Sequence, residues 1–117
     1  SLYKKYLNID VPSDKLGVLQ DIHWSHGSFG YFPTYTLGSF YAAQFFNHAS
    51  NKIKDINTKM ENGDTQDLLD WLRINIHQHG ERYDAKDLCK KITGEELKFD
   101  YFMSYAKEKY SKIYNLP

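Results

Sequence analysis

Phe99, Phe102, Met103, Ala106, Tyr110, Ile113 and Tyr114 follow one another in steps of three and four. This period lays them along one face of a helix for about four turns, and a helix with such a stripe must bury it against something. The same period runs through Tyr35, Leu37, Phe40, Tyr41, Ala43, Phe45 and Ile53, and again through Leu68, Leu69, Leu72 and Ile76 with Trp71. No stretch shows the alternation of a half-buried strand, so the expected fold class is all-α. Pro33 suits the first turn of a long helix ending near Gly63, and Asp64 or Thr65 opens the next, which Gly80 stops after His79. Asp84 can cap a short helix through Leu88 and Ile92, while Thr93-Gly94-Glu95-Glu96 has the spacing of a capping box ahead of the final helix. Upstream, Ser13 and Asp14 can cap a short helix carrying Leu16, Leu19 and Val18 to about Asp21. Trp24 to Tyr31 reads as a loop, because Ser25, Gly27, Ser28 and Gly30 interleave permissive backbone with Trp24, His26 and Phe29.

No repeat and no Pro/Gly-rich linker divides the 117 residues, so residues 1–117 are expected to form a single helical unit. Fifteen Lys+Arg balance 15 Asp+Glu, which leaves no excess to neutralise a phosphate backbone; no nucleic-acid partner is expected. No apolar run approaches the roughly 20 residues of a membrane span, and the N-terminus lacks a signal-peptide layout. The expected setting is therefore cytoplasmic, with no membrane partner. Cys89 stands alone, which excludes an intrachain disulfide and a thiolate zinc site. The 10 Tyr, 7 Phe and 2 Trp exceed what a small surface requires, so these rings either pack internally or face a partner. Rings left uncovered predict self-association, and a homo-oligomer is expected.

Candidate chemistry narrows quickly. His77 and His79 are two apart, about 200° round a helix from one another, whereas helical metal chelation wants three or four. His23 and His26 have the right separation but straddle a helix end, with no Glu placed to complete a metalloprotease helix. His48 lies in the polar run Asn47 to Asn51 and is expected to face water. Cys89 sits among lysines without a nearby His and reads as a small hydrophobe. Ser25, Ser28 and Ser39 have no nucleophile elbow around them. What remains is the segment from Gln20 to Gly38, with two histidines and two phenols leading into a helix N-terminus.

Gly17, Gln20, Asp21, His23 and Trp24 fit the pattern Gly-x-x-Gln-Asp-x-His-Trp, and Gly30-Tyr31-Phe32-Pro33-Thr34-Tyr35, Leu37-Gly38 and Ala42-Ala43-Gln44 follow. Further on stand Ile76-His77-x-x-Gly80, Asp87-Leu88, Thr93-Gly94, Lys109-Tyr110 and Ile113-Tyr114, with Asp87 where Glu is expected. On these residues the chain resembles the carboxypeptidase Taq family of metal-dependent carboxypeptidases over nearly its whole length. The resemblance implies the C-terminal helical segment of a larger, mostly helical zincin-like peptidase. That family's metal helix, His-Glu-x-x-His, does not occur in this sequence and would lie upstream of Ser1. It implies no metal or other cofactor in this chain, a divalent metal such as zinc in the parent, and no activity for the isolated segment. The implied partners are a peptide substrate and the upstream catalytic part.

Metal-assisted hydrolysis needs donors for the oxyanion, and a neutral phenol can supply one without titrating at pH 7. By the resemblance Tyr31, Tyr35 and His26 are the catalytic candidates, with His23, Gln20, Asp21 and Gly30 as substrate-binding residues. The structural alternative has Gln20, Asp21 and His23 bonding the loop into place, Trp24 filling a pocket, and Phe29 and Phe32 packing. The alternative function is a stand-alone helical interaction or self-association module.

Overall fold

The computed structural model describes residues 1–116, and among them there are helices and turns but no strand. Two compact units divide the chain, Ser1–Tyr35 and Thr36–Pro117.

The first unit opens with a helix that no apolar period announces, α1 (Leu2–Leu7), started by Ser1 Oγ accepting from the Lys4 amide at 3.3 Å and ended by Asn8 in the left-handed region. The helix expected from Ser13 to Asp21 is instead two single 3-10 turns, Asp14–Leu16 and Val18–Gln20, separated at Gly17. Gly17 leaves the helical region at φ −130°, ψ −113°, and a Cβ there would lie 2.5 Å from Val11 Cγ1, so Val11 packs where a side chain would stand. Asp21 then caps α2 (Ile22–Ser25), so Trp24 is helical and not in the loop. Turns follow, and α3 (Pro33–Ser50) begins at the proline.

In the second unit α3 stops thirteen residues short of Gly63. Ser50 Oγ donates to the Asn47 carbonyl at 2.8 Å, an oxygen that also accepts from the Asn51 amide at 3.2 Å, so a side chain shares a carbonyl of the last turn. The chain turns and resumes as α4 (Ile56–Glu61), α5 (Gln66–Asn75), a 3-10 turn His77–His79 closed by Gly80, α6 (Ala85–Thr93) and α7 (Phe99–Tyr114). Asp84 caps α6 through the Asp87 amide, as its position predicts.

The expected capping box does not form. Thr93 is the last residue of α6, and its hydroxyl donates one turn back to the Cys89 carbonyl at 2.9 Å. The start of α7 is instead held at long range: Lys98 N donates to Gln44 Oε1 at 2.8 Å, and Gln44 Nε2 donates to Glu96 O at 3.1 Å and Thr93 Oγ1 at 3.2 Å. Gln44 is 1% exposed, so one amide of α3 bonds the α6–α7 connection from within the core.

Ala49, Ile56 and Cys89 are the buried hydrophobics among the described residues. Burial pushes the Cys89 thiol up from its ordinary range, in keeping with an inert packing role. Phe40 meets Phe99 and Phe102 at 5.1 Å each, edge-on or tilted, which covers part of the α7 stripe. His48 is half-buried with its ring 6.2 Å from Trp71, a correction to its expected place in water. The far end of the α7 stripe, Tyr110, Ile113 and Tyr114, stays exposed. Two grooves of about 480 and 470 Å³ remain, one lined by Ala42, Ala43, Phe46, Phe102 and Tyr105, the other by Tyr41, Phe45, Trp71, Leu72 and Ile76.

Candidate functional site

The site lies within the first unit and is organised on one short helix. Asp21 is extended at its own backbone (φ −79°, ψ 114°), so its carboxylate can turn back over α2. Its Oδ1 accepts twice, from the His23 amide at 2.9 Å and from His23 Nδ1 at 2.8 Å. Both bonds stabilise the ionised carboxylate and hold its pKa below the usual aspartate value, the backbone bond contributing most. Because the folded value is the lower one, this contribution is complete above the unfolded value and is lost as pH falls through the folded value. The protection factor of the His23 amide, its exchange rate relative to an unstructured amide at the same pH, is therefore expected to hold from pH 7 through the ordinary aspartate range and to fall only below it. A protection factor that already falls at pH 6 would mean that the Asp21 cap does not control the amide.

His23 is the hub. Its side chain is 14% exposed, enclosed by Tyr31 stacked at 5.5 Å, Phe32 edge-on at 5.5 Å, Tyr35 edge-on at 5.9 Å and His26 tilted at 5.9 Å. Tyr31 and Tyr35 also meet edge to face at 5.6 Å. A tight reversal makes this possible. Ser28 N donates to the His23 carbonyl at 2.8 Å, and Gly30 takes φ +77°, a conformation that L side chains rarely adopt, just before Tyr31. Thr34 Oγ1 donates to the Tyr31 carbonyl at 2.7 Å and secures the entry to α3.

The fold thus brings together Asp21, His23, His26, Tyr31 and Tyr35, with Gly30 as the turn between them. Gln20 is not among them: its Nε2 donates back to the Lys15 carbonyl at 2.6 Å. The Tyr31 hydroxyl makes no hydrogen bond among the described residues, and the residue is 51% exposed. Trp24 fills no pocket, being 64% exposed with its ring 5.3 Å from Phe29, and Phe29 and Phe32 likewise stay open to solvent. Packing inside a 35-residue unit cannot cover four large rings on adjacent turns.

Two participants escaped the motif reading. Ser28 Oγ lies 3.0 Å from His26 Nδ1, and Phe32 walls one side of His23. The separation of two residues between His26 and Ser28 was the available signal, since short polar side chains in turns bond to near neighbours.

A family model described as carboxypeptidase Taq (M32) metallopeptidase matches residues 1–110. The chain belongs to this family. Thermostable carboxypeptidase 1 of Thermus thermophilus is 41% identical over 112 residues, which make up 96% of this chain and 22% of that protein. Carboxypeptidase 1 of Bacillus subtilis is 40% identical over 114 residues, 97% of this chain and 23% of its own length. Among solved structures, an M32 carboxypeptidase from Deinococcus radiodurans superposes with a TM-score of 0.91 at 33% identity, covering 97% of this chain and 23% of that one. The chain therefore spans less than a quarter of the length of the relatives it matches.

Membership of the carboxypeptidase Taq family raises the question of a metal, and the residues present do not fit one. Among the described residues, no three His, Cys, Asp or Glu side chains come together to hold an ion. His23, the natural ligand candidate, is committed at Nδ1 to Asp21, and no second carboxylate reaches its ring. Among the described residues no helix is long and apolar enough to cross a membrane.

Proposed function

We propose that this chain is the C-terminal segment of a metal-dependent carboxypeptidase that hydrolyses the C-terminal peptide bond of peptides, and that it supplies substrate-cleft and oxyanion-side groups. The observation that carries this reading is an exposed Tyr31 phenol with no hydrogen bond of its own, held against His23 in a chain that belongs to a metallopeptidase family. In this reading a divalent metal and the base that activates water belong to the upstream part of the parent. The segment's own contribution is an O–H. Tyr31 can donate to a carbonyl oxygen as it becomes anionic, a bond that strengthens in the transition state and so accelerates the reaction. Tyr35 and His26 border the same space, and Gly30 fixes the approach of Tyr31. Full-length polypeptide carrying this segment should release single residues from the C-termini of peptides, whereas the segment alone should not. Release of internal fragments, or hydrolysis by the segment alone, contradicts the assignment.

The exposed apolar residues favour a second partner, another copy of the chain. With Trp24, Phe29 and Phe32 exposed and two grooves uncovered, the isolated segment is expected to self-associate at micromolar concentration and to bind a hydrophobic dye. Sedimentation velocity reads this directly; a compact monomer that binds no dye removes the homo-oligomer from the proposal.

A further inference from the structure

An ionised carboxylate has no proton to give, so the contact between Asp21 Oδ1 and His23 Nδ1 at 2.8 Å requires the proton on Nδ1. Nε2 makes no hydrogen bond among the described residues, and it is not one of the buried polar atoms left without a partner, so it reaches the surface. The ring is also fixed in plane, with Tyr31 stacked on it and Phe32 and Tyr35 against it edge-on. An unrestrained imidazole prefers the opposite tautomer, with the proton on Nε2. We propose that Asp21 is a positioning residue that does not touch substrate: it holds His23 with Nδ1 protonated, so that Nε2 accepts a hydrogen bond from a backbone amide of the bound peptide.

This inference rests on the peptidase reading above and divides labour within the site. Neutral His23 in this tautomer offers only a lone pair at Nε2 and cannot donate to an oxyanion, a task left to the Tyr31 hydroxyl. An acceptor for a substrate N–H binds ground and transition states alike, so its loss should raise KM and leave kcat nearly unchanged. Both contacts fall on one oxygen, Oδ1, so an amide oxygen can replace it. Glycine at the same place removes the oxygen at little cost to the cap.

The test uses the whole polypeptide that carries the segment, labelled with 15N-histidine, with the His23 ring resonances assigned by their disappearance in His23→Gln. Wild type should show His23 with the proton on Nδ1, Asp21→Gly should move it mainly to Nε2, and Asp21→Asn should keep it on Nδ1. Kinetically, Asp21→Gly should raise KM by up to about tenfold, Asp21→Asn should recover most of that, and Asp21→Gly should add almost nothing in the His23→Gln background. An unchanged tautomer in Asp21→Gly overturns the proposal, as does a KM effect that persists in full without His23. A polypeptide with no peptidase turnover defeats the functional reading instead, and the tautomer comparison still decides what Asp21 does.

Discussion

Tyr31→Phe in the full-length peptidase is expected to lower kcat by about 100-fold, near 3 kcal/mol of transition-state stabilisation, with metal content unchanged. The size follows from what the phenol lacks as much as from what it has. Its hydroxyl has no hydrogen-bond partner among the described residues, so deleting the oxygen breaks nothing within the segment. The ring, which stacks on His23 at 5.5 Å, remains. Folding should therefore be nearly indifferent to the change, and a kinetic loss would report the oxyanion alone. Tyr35→Phe is the internal comparison and should cost less if one phenol reaches the reacting carbonyl. Raised KM with unchanged kcat in both variants would move the phenols from oxyanion stabilisation to substrate binding. No kinetic effect in either would leave this loop as architecture.

Gln44→Ala is expected to be the most destabilising single change in the second unit, at about 3 kcal/mol. Three hydrogen bonds disappear together, and the Lys98 amide and Glu96 carbonyl lose their partner in a site where Gln44 itself is 1% exposed. A buried donor or acceptor left unsatisfied costs more than the bond it made was worth. Gln44→Glu separates the terms: its carboxylate can still accept from Lys98 N but cannot donate to Glu96 O, so it should fall between wild type and alanine only if the acceptor dominates. Urea denaturation followed by far-ultraviolet circular dichroism measures both. A loss below about 1 kcal/mol for alanine would mean that water replaces the amide and that the α6–α7 connection stands without it.

The periodic segments were legible because helical spacing is a local property. Leu68, Leu69 and Leu72 announce α5, although it ends at Asn75 and a 3-10 turn takes the chain on to the expected stop at Gly80, and Phe99 to Tyr114 announces α7 to the residue. Caps made by immediate neighbours were legible for the same reason, as Asp84 on Asp87 shows. The misreadings occur where a distant or competing partner decides. Thr93 has the spacing of a capping residue but lies at the end of a helix whose carbonyl it can reach, and the start of α7 is held instead at Lys98 N by Gln44, 54 residues away. Gly17 leaves the helical region with Val11 packed against it, a contact that the spacing of Leu16 and Leu19 does not reveal. The fragment of pattern from Gly17 to Trp24 named a family, yet nothing in it distinguishes Gln20, tied to Lys15, from Asp21, tied to His23.

Helix content, the identity of the family and the set of residues around the loop were thus already present in the order of side chains, because each depends on spacing within a few turns. The tertiary structure decided which of those residues meet. Only a backbone reversed at Gly30 places Tyr31 against His23, and only a carboxylate folded back over α2 takes up one nitrogen of that ring. Spacing along a chain sets which face a side chain occupies; the direction in which its last polar atom points is set by the atoms packed around it.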